Sequence, residues 1–309
     1  MMVIRMNEVY VTGHKNPDTD AICSAIAYAD FKRRIGEENV VAVRCGDINP
    51  ETRYVLDKFS LPEPEFLSDA TDRRLILVDH NEFDQSVKNI EKAQILEILD
   101  HHKINFRYPE PIYFLSKPLG STSTIIAERY FEKKIDLERD IAGALLSAIL
   151  SDTVVFRSKT TTERDREVAE KLARIADIGN MEEFGIELKK AKSSLKGLTA
   201  SEIILSDFKD FNFNRNKVGI GQIEIVDSEE IERRRRELID GLEELRREKE
   251  YKLVVLMVTN IMERSSELLA VGDISKIEKA FGKSVKENSV YLNVMSRKKE
   301  VVPPLERVF

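Results

Sequence analysis

Four histidines occur in 309 residues, and all lie in the first third of the chain: His14, His80, His101 and His102. Each stands in an acidic run: Gly13-His14-Lys15-Asn16-Pro17-Asp18-Thr19-Asp20, Asp79-His80-Asn81 and Asp100-His101-His102. A fourth run, Ser151-Asp152-Thr153, is acidic without histidine. Imidazole is the commonest side-chain metal ligand, and carboxylates are its usual oxygen-donor companions. Gathered at one place, Asp18, Asp20, Asp79 and Asp152 would repel one another and raise each other's pKa, so their convergence demands a cation. The donor set exceeds a four-coordinate site, which favours two divalent ions. Its hardness favours Mn2+, Mg2+ or Co2+ over thiolate-held zinc. Such a pair suits hydrolysis of a phosphoester or phosphoanhydride, because together the ions acidify water and clamp the developing charge.

Each run also has a plainer reading. Asp18 or Asp20 alone reads as a helix N-cap, His80 as a structural histidine, and Asp100 as a group orienting a neighbouring imidazole. Adjacent side chains on an extended strand point to opposite faces, so at most one of His101 and His102 is expected to serve a given ion. The four runs carry the metal reading together, in order, each at the end of an element.

Those elements alternate in type. Glu8–Thr12, Val40–Val43, Leu75–Val78 and Ile95–Leu99 are short apolar or β-branched runs, with a fifth at Ile112–Phe114. Helical spacing runs from Asp20 to Ile35, and helices are expected over 122–133, 140–150, 163–178 and 181–192. Continuous apolar strands separated by helices indicate a parallel sheet covered on both faces. Ligands of such sheets bind at the carboxyl ends of the strands, and three of the acidic runs leave such ends. The polar stretch 189–196 is expected to link this domain, 1–188, to a smaller α/β domain, 197–309, with a mixed sheet. Within the latter, 218–226, 253–258, 268–271 and 290–294 read as strands and 228–249 as a long helix. The Arg233–Arg236 run lies on that helix among Glu229, Glu230, Glu232 and Glu237, so i,i+4 pairing on a solvated face accounts for it.

Composition excludes other classes. Lys and Arg total 49 against 55 Asp and Glu, a net charge of -6, which lacks the basic bias of sequence-independent nucleic-acid binding. The most apolar stretch, Ile141–Leu150, is far shorter than the ~20 residues a membrane span needs. The N-terminus has no signal-peptide pattern, and Cys23 and Cys45 are too far apart for a Cys-x-x-Cys motif, so a cytoplasmic, reducing compartment is expected. Gln occurs only at 85, 94 and 222 while Glu, Lys and Arg abound, a bias of heat-adapted proteins. Two further cationic features are Lys209, where the second domain begins, and Ser296-Arg297-Lys298-Lys299 near the C-terminus.

In this order, Gly-His-x-Asn-Pro-Asp-x-Asp, Asp-His-Asn, Asp-His-His, Ser-Asp-Thr and Ser-Arg-Lys-Lys resemble the manganese-dependent (family II) inorganic pyrophosphatases of the DHH phosphoesterase superfamily. The Asp-His-His motif alone is similar to the whole superfamily; Ser-Arg-Lys-Lys is the specific element. The resemblance spans the chain in the compact form without CBS domains. It implies one metal on His14, Asp18, Asp79 and Asp152 and another on Asp20, Asp79, His101 and Asp152, with Asp79 and Asp152 bridging. It further implies that His102, Lys209, Arg297 and Lys298 contact pyrophosphate when the C-terminal domain closes over the metals, and that a metal-bridging hydroxide attacks phosphorus in line without a phospho-enzyme. Two Mn2+ per subunit are implied, with Co2+ as a substitute and Mg2+ arriving with substrate. The resemblance also implies a homodimer through an edge of the N-terminal sheet, with no nucleic-acid or membrane partner. Ser121-Thr122-Ser123 and Phe83-Asp84 fall where the family varies and are not expected to touch these residues.

Two alternatives remain at this level. One is another DHH enzyme, an oligonucleotide exonuclease or an exopolyphosphatase; exonuclease relatives carry a Gly-Gly-Gly-His-type motif, and no His follows His102. The other is a non-catalytic metal- or nucleotide-binding regulator on the same scaffold.

Overall fold

The computed structural model describes residues 8–192, 195, 197–226 and 228–309. They fall into two compact units, Met1–Lys192 and Ser193–Phe309. Within the expected linker 189–196, residues 193, 194 and 196 lie outside the described residues. Residues 189–192 complete the helix Met181–Lys192 (α6), as the helical spacing over 181–192 predicts, and the Lys189 side chain is buried.

The first unit is built on six parallel strands: β1 (Val9–Thr12), β2 (Val40–Arg44), β3 (Glu65–Phe66), β4 (Arg74–Val78), β5 (Gln94–Asp100) and β6 (Tyr113–Ser116). Their order is β3-β2-β1-β4-β5-β6. The chain therefore winds outward from β1 in one direction and from β4 in the other, which opens a crevice at the carboxyl ends of β1 and β4. Successive residues alternate between two cores. Val9, Val11, Ile76 and Val78 face one cluster, while Tyr10, Leu75 and Leu77 face the other.

The six helices, α1 (Thr19–Arg34), α2 (Pro50–Lys58), α3 (Thr122–Lys133), α4 (Arg139–Asp152), α5 (Glu163–Ala176) and α6, all bury residues in the first cluster. The second face is covered differently. Its cluster draws on Leu67, Ala70, Val87 and Ile90, with Phe83, Phe106 and Tyr108 against it, from loops and two 3-10 turns. Right-handed crossovers put the β4–β5 and β5–β6 connections on that face, and both are too short in regular structure to supply an α-helix. The sequence reading missed α2 and β3.

The second unit carries a mixed sheet in the order β11-β10-β9-β8-β7, comprising β7 (Phe208–Phe213), β8 (Asn216–Ile225), β9 (Leu253–Asn260), β10 (Ser265–Gly272) and β11 (Ser289–Leu292). Only β8 and β9 pair in parallel, as their crossover helix α8 (Glu229–Glu248) requires. Val254, Leu256 and Val258 of β9 pack toward α7 (Ala200–Leu205) and α8. Leu253, Val255 and Met257 pack toward α9 (Ser275–Phe281) and α10 (Val302–Glu306). On α8 two arginines of the run are spent on carboxylates: Arg234 forks to Glu237 at 2.9 Å, and Arg235 bonds Glu232 and, at 2.7 Å, the buried Glu267. No described helix is long and apolar enough to cross a membrane.

Candidate metal centre

The acidic runs meet in the crevice between β1 and β4. His14 and Asp18 leave β1, and Asp18 caps α1 by accepting the Ala21 amide at 3.0 Å. The cap reading and the metal reading of Asp18 thus coexist, since the same carboxylate lies 3.7 Å from His14 Nε2. Asp79 follows β4 with a left-handed backbone, φ 62°, which a non-glycine residue adopts rarely. Its amide is held by the Leu99 carbonyl of β5 at 3.0 Å. The Asp79 carboxylate is 1 % exposed and faces two ways: Oδ2 lies 3.6 Å from His14 Nε2, and Oδ1 lies 3.4 Å from His101 Nε2. Asp152, the last residue of α4, brings its carboxylate to 3.6 Å from His101 Nε2.

Three overlapping groups result, each with ligand atoms within 4.8 Å of one another: His14–Asp18–Asp79, Asp20–Asp79–His101–Asp152 and Asp79–His101–His102. Asp79 belongs to all of them. Asp152 joins the second group but not the first.

Two observations make this a fit for cations. The Nδ1 of His101 is bonded to the Leu119 carbonyl at 2.9 Å, so Nε2 carries the lone pair, and that buried Nε2 has no hydrogen-bond partner among the described residues. The second is charge. Burial, then Asp20 and Asp18, push the Asp79 carboxyl well above the usual range, and burial, then Asp20 and Asp79, do the same to Asp152. Asp152 also stands at the negative end of the α4 dipole. Ionised carboxylates so placed are stable only against positive charge.

The two remaining histidines divide as their neighbours dictate. His80 is buried with both ring nitrogens engaged, by the Val78 carbonyl at 3.0 Å and by Ser86 Oγ at 2.8 Å; burial brings its pKa down to about 4. It is therefore a neutral support. His102 is exposed, and its Nδ1 is held at 2.9 Å by Asp100 Oδ1. Burial pushes Asp100 upward, but donors from the His102 ring, Asn81 and the His102 amide outweigh it and keep the carboxylate below its usual value. The expectation that His101 and His102 diverge assumed an extended chain. They lie instead in a bend past β5, with rings 4.1 Å apart and both turned toward Asp79.

A second correction concerns Ser121-Thr122-Ser123, expected to stand apart from the site. These residues open α3, and its first amides hold Asp20: Thr122 N donates to Oδ2 at 2.7 Å and Ser123 N to Oδ1 at 3.0 Å. The Thr122 hydroxyl donates to Asp79 Oδ1 at 3.0 Å. Nothing local in the sequence signals this, because the partners are 102 and 43 residues away. Equally silent in sequence is the run after Thr153, where Val154, Val155 and Phe156 have φ of 49°, 53° and 62°, a left-handed turn of non-glycine residues beside the candidate site.

In the second unit, Arg297 begins a π-helical turn, Arg297–Val301, capped by Ser296 Oγ on the Lys299 amide. Nη2 of its buried guanidinium donates to both oxygens of the Asp207 carboxylate at 2.9 and 3.0 Å, and Nη1 donates to the Ile220 carbonyl at 3.1 Å. Ile220 is the register partner of Lys209 across β7 and β8, so Arg297 and Lys209 belong to one neighbourhood. Lys209 and Lys298 are exposed.

A parallel sheet with clustered carboxylates and imidazoles able to hold metal at its switch point, and a separate mixed-sheet unit, define a class. Residues 8–149 match the DHH family N-terminal domain and residues 186–308 the DHHA2 domain. The manganese-dependent inorganic pyrophosphatase of Methanocaldococcus jannaschii is 50% identical, over 97% of this chain and 99% of that protein. The protein of the same description from Bacillus subtilis is 43% identical over 97% and 98%. The crystal structure of a Methanococcus jannaschii protein assigned to the family II inorganic pyrophosphatases superposes with a TM-score of 0.64, covering 97% of this chain and 99% of that one. The chain belongs to the manganese-dependent inorganic pyrophosphatases, an enzyme family of metal-dependent hydrolases.

Proposed function

We propose that this enzyme hydrolyses inorganic pyrophosphate to two phosphates. The observation that carries the reading is Asp79, whose two carboxylate oxygens face His14 on one side and His101 on the other, so that one buried carboxylate serves two neighbouring ligand groups. The names of the relatives support the substrate. His14, Asp18 and Asp79 would hold one Mn2+, and Asp20, Asp79, His101 and Asp152 the other. Bound there, two Mn2+ ions would lower the pKa of bound water toward neutrality and offset the charge building on phosphoryl oxygens.

The chain's own groups do the rest. His102, fixed through Nδ1 by Asp100, presents its exposed Nε2 to donate a hydrogen bond or proton to the substrate in its imidazolium form. Arg297, Lys298 and Lys209 neutralise the pyrophosphate oxygens and stabilise the charge that develops during in-line displacement. Arg297 enters this role with its guanidinium plane set by Asp207, so substrate oxygens must share or displace that carboxylate. The proposal includes closure of the cationic residues onto substrate at the metals, a division of the chain near 189–196, and a homodimer through an edge of the N-terminal sheet. Neither nucleic acid nor membrane enters the proposal, and its compartment is the cytoplasm.

Phosphate release with Mn2+ supplied, compared among pyrophosphate, linear polyphosphate and an oligonucleotide, tests the substrate. Pyrophosphate is expected to be turned over at least ten times faster than either; its being the poorest of the three overturns the reading.

A further inference from the structure

The Thr122 hydroxyl stands out among groups that the metal reading does not use. Thr122 is fully buried, and its Oγ1 donates to Oδ1 of Asp79 at 3.0 Å across 43 residues of chain. We propose that Thr122 is the positioning residue for the shared carboxylate: its hydroxyl sets the rotation of the Asp79 carboxylate so that one oxygen serves each of two cations. The proposal rests on the reading of Asp79 as the shared ligand.

The argument is geometric. The terminal torsion of an aspartate is a soft, broad rotation, so backbone placement alone does not decide which oxygen faces which partner. Here Oδ2 points to His14 Nε2 at 3.6 Å and Oδ1 to His101 Nε2 at 3.4 Å. A hydroxyl on Oδ1 occupies one of that oxygen's acceptor directions and leaves the other for a cation beside His101. Rotating the carboxylate would break this bond, and Thr122 has no room to follow. Its own amide is bound to Asp20 Oδ2, and the preceding Gly120 amide is held at 2.9 Å by the buried Asp165. A Cβ on Gly120 would fall 2.7 Å from Thr153 Cγ2 and 2.8 Å from Asp165 Oδ2, so the turn is pressed against its support. One helix start thereby sets two ligands, Asp20 through backbone amides and Asp79 through a side chain. The two effects are separable, because changing the Thr122 side chain leaves both amides in place.

Thr122→Val keeps the β-branched shape and removes the donor; Thr122→Ser keeps the donor. The readout is Mn2+ binding to the metal-free protein by titration calorimetry, with the electron paramagnetic resonance signal of bound Mn2+ reporting whether two ions are coupled. Losing an oriented partner of a ligating carboxylate is expected to weaken Mn2+ binding by about 10–100-fold in Thr122→Val. Thr122→Ser is expected to bind like the parent and to restore the coupled signal. A Thr122→Val protein that binds two Mn2+ with parental affinity and coupling overturns the inference, provided Asp79→Asn loses binding in the same assay. If Asp79→Asn also binds as the parent does, the shared-carboxylate reading itself fails, and this inference with it.

Discussion

Lys189→Met removes an ammonium that is 4 % exposed and lies 2.9 Å from Glu51 Oε1 and 3.1 Å from Ser151 Oγ. Glu51 is 1 % exposed. Its other oxygen accepts from Ser151 Oγ at 3.0 Å, so among the described residues a neutral hydroxyl, not a counter-charge, remains on Glu51 after the substitution. Removing one partner of a buried pair costs roughly 3–5 kcal/mol, because a charge stays buried without compensation. The position of Glu51 in the first turn of α2 offsets part of this, about 0.3–1 kcal/mol, through the helix dipole. A net loss of about 3 kcal/mol remains. For a unit of this size each kcal/mol lowers Tm by about 2–4 °C, so the melting of the metal-free protein is expected to fall by about 6–12 °C. The pair links α2, α4 and α6, and its neighbour Ser151 precedes Asp152, so the loss falls on the support of the candidate metal centre. Replacing both charges, Glu51→Leu with Lys189→Met, removes the uncompensated carboxylate and is expected to recover stability to within about 1 kcal/mol of the parent, since apolar substitutes for buried pairs are often neutral or better. Calorimetric melts of the parent, both single variants and the double variant form the cycle. A Lys189→Met protein melting within about 2 °C of the parent, or single effects that simply add, would show that the pair is not the buried counter-charge described.

Three other outcomes are expected. Asp79→Ala should abolish Mn2+ binding and pyrophosphate hydrolysis together, and near-parental activity with bound metal would refute the centre. Arg297→Ala should leave Mn2+ affinity unchanged while lowering kcat by about 10²-fold or more, the scale of a lost electrostatic donor; an equal loss of metal binding would count against a substrate role. Mn2+ affinity should rise with pH. The raised carboxyls of Asp79 and Asp152 hold protons in the metal-free protein that the cation displaces, so binding releases protons and strengthens as pH climbs through those raised values. Calorimetry in buffers of different ionisation enthalpy measures that release, and an affinity independent of pH would contradict it.

Much of the first unit was legible because its strands are short, continuous apolar runs, and because the chemistry-bearing residues follow them directly in the chain. Val9–Thr12 leads into His14, Arg74–Val78 into Asp79, and Gln94–Asp100 into His101. What escaped was set by distance. The two-residue strand Glu65–Phe66 has too few residues for a pattern. Helix α2 begins at Pro50 behind an Asn49 cap, and its few apolar residues give too weak a helical pattern to assign from sequence. The charge of Lys189, at the start of the polar stretch 189–196, reads in sequence as exposed. Only the fold supplies the buried Glu51, 138 residues away, that makes that lysine an interior residue.

By itself the sequence determined which side chains were available to hold cations, at which strand ends they would emerge, and to which family the ordered motifs belong. These are local matters, set by hydrophobic period and by residue order. Tertiary structure decided how those side chains are held. It turned both His101 and His102 toward Asp79, committed His80 to Val78 and Ser86, and brought Thr122 and Ser123 onto Asp79 and Asp20. The physical reason is that a carboxylate's orientation and charge state depend on donors, burial and neighbouring charges within a few ångströms, and packing, not chain order, chooses those neighbours.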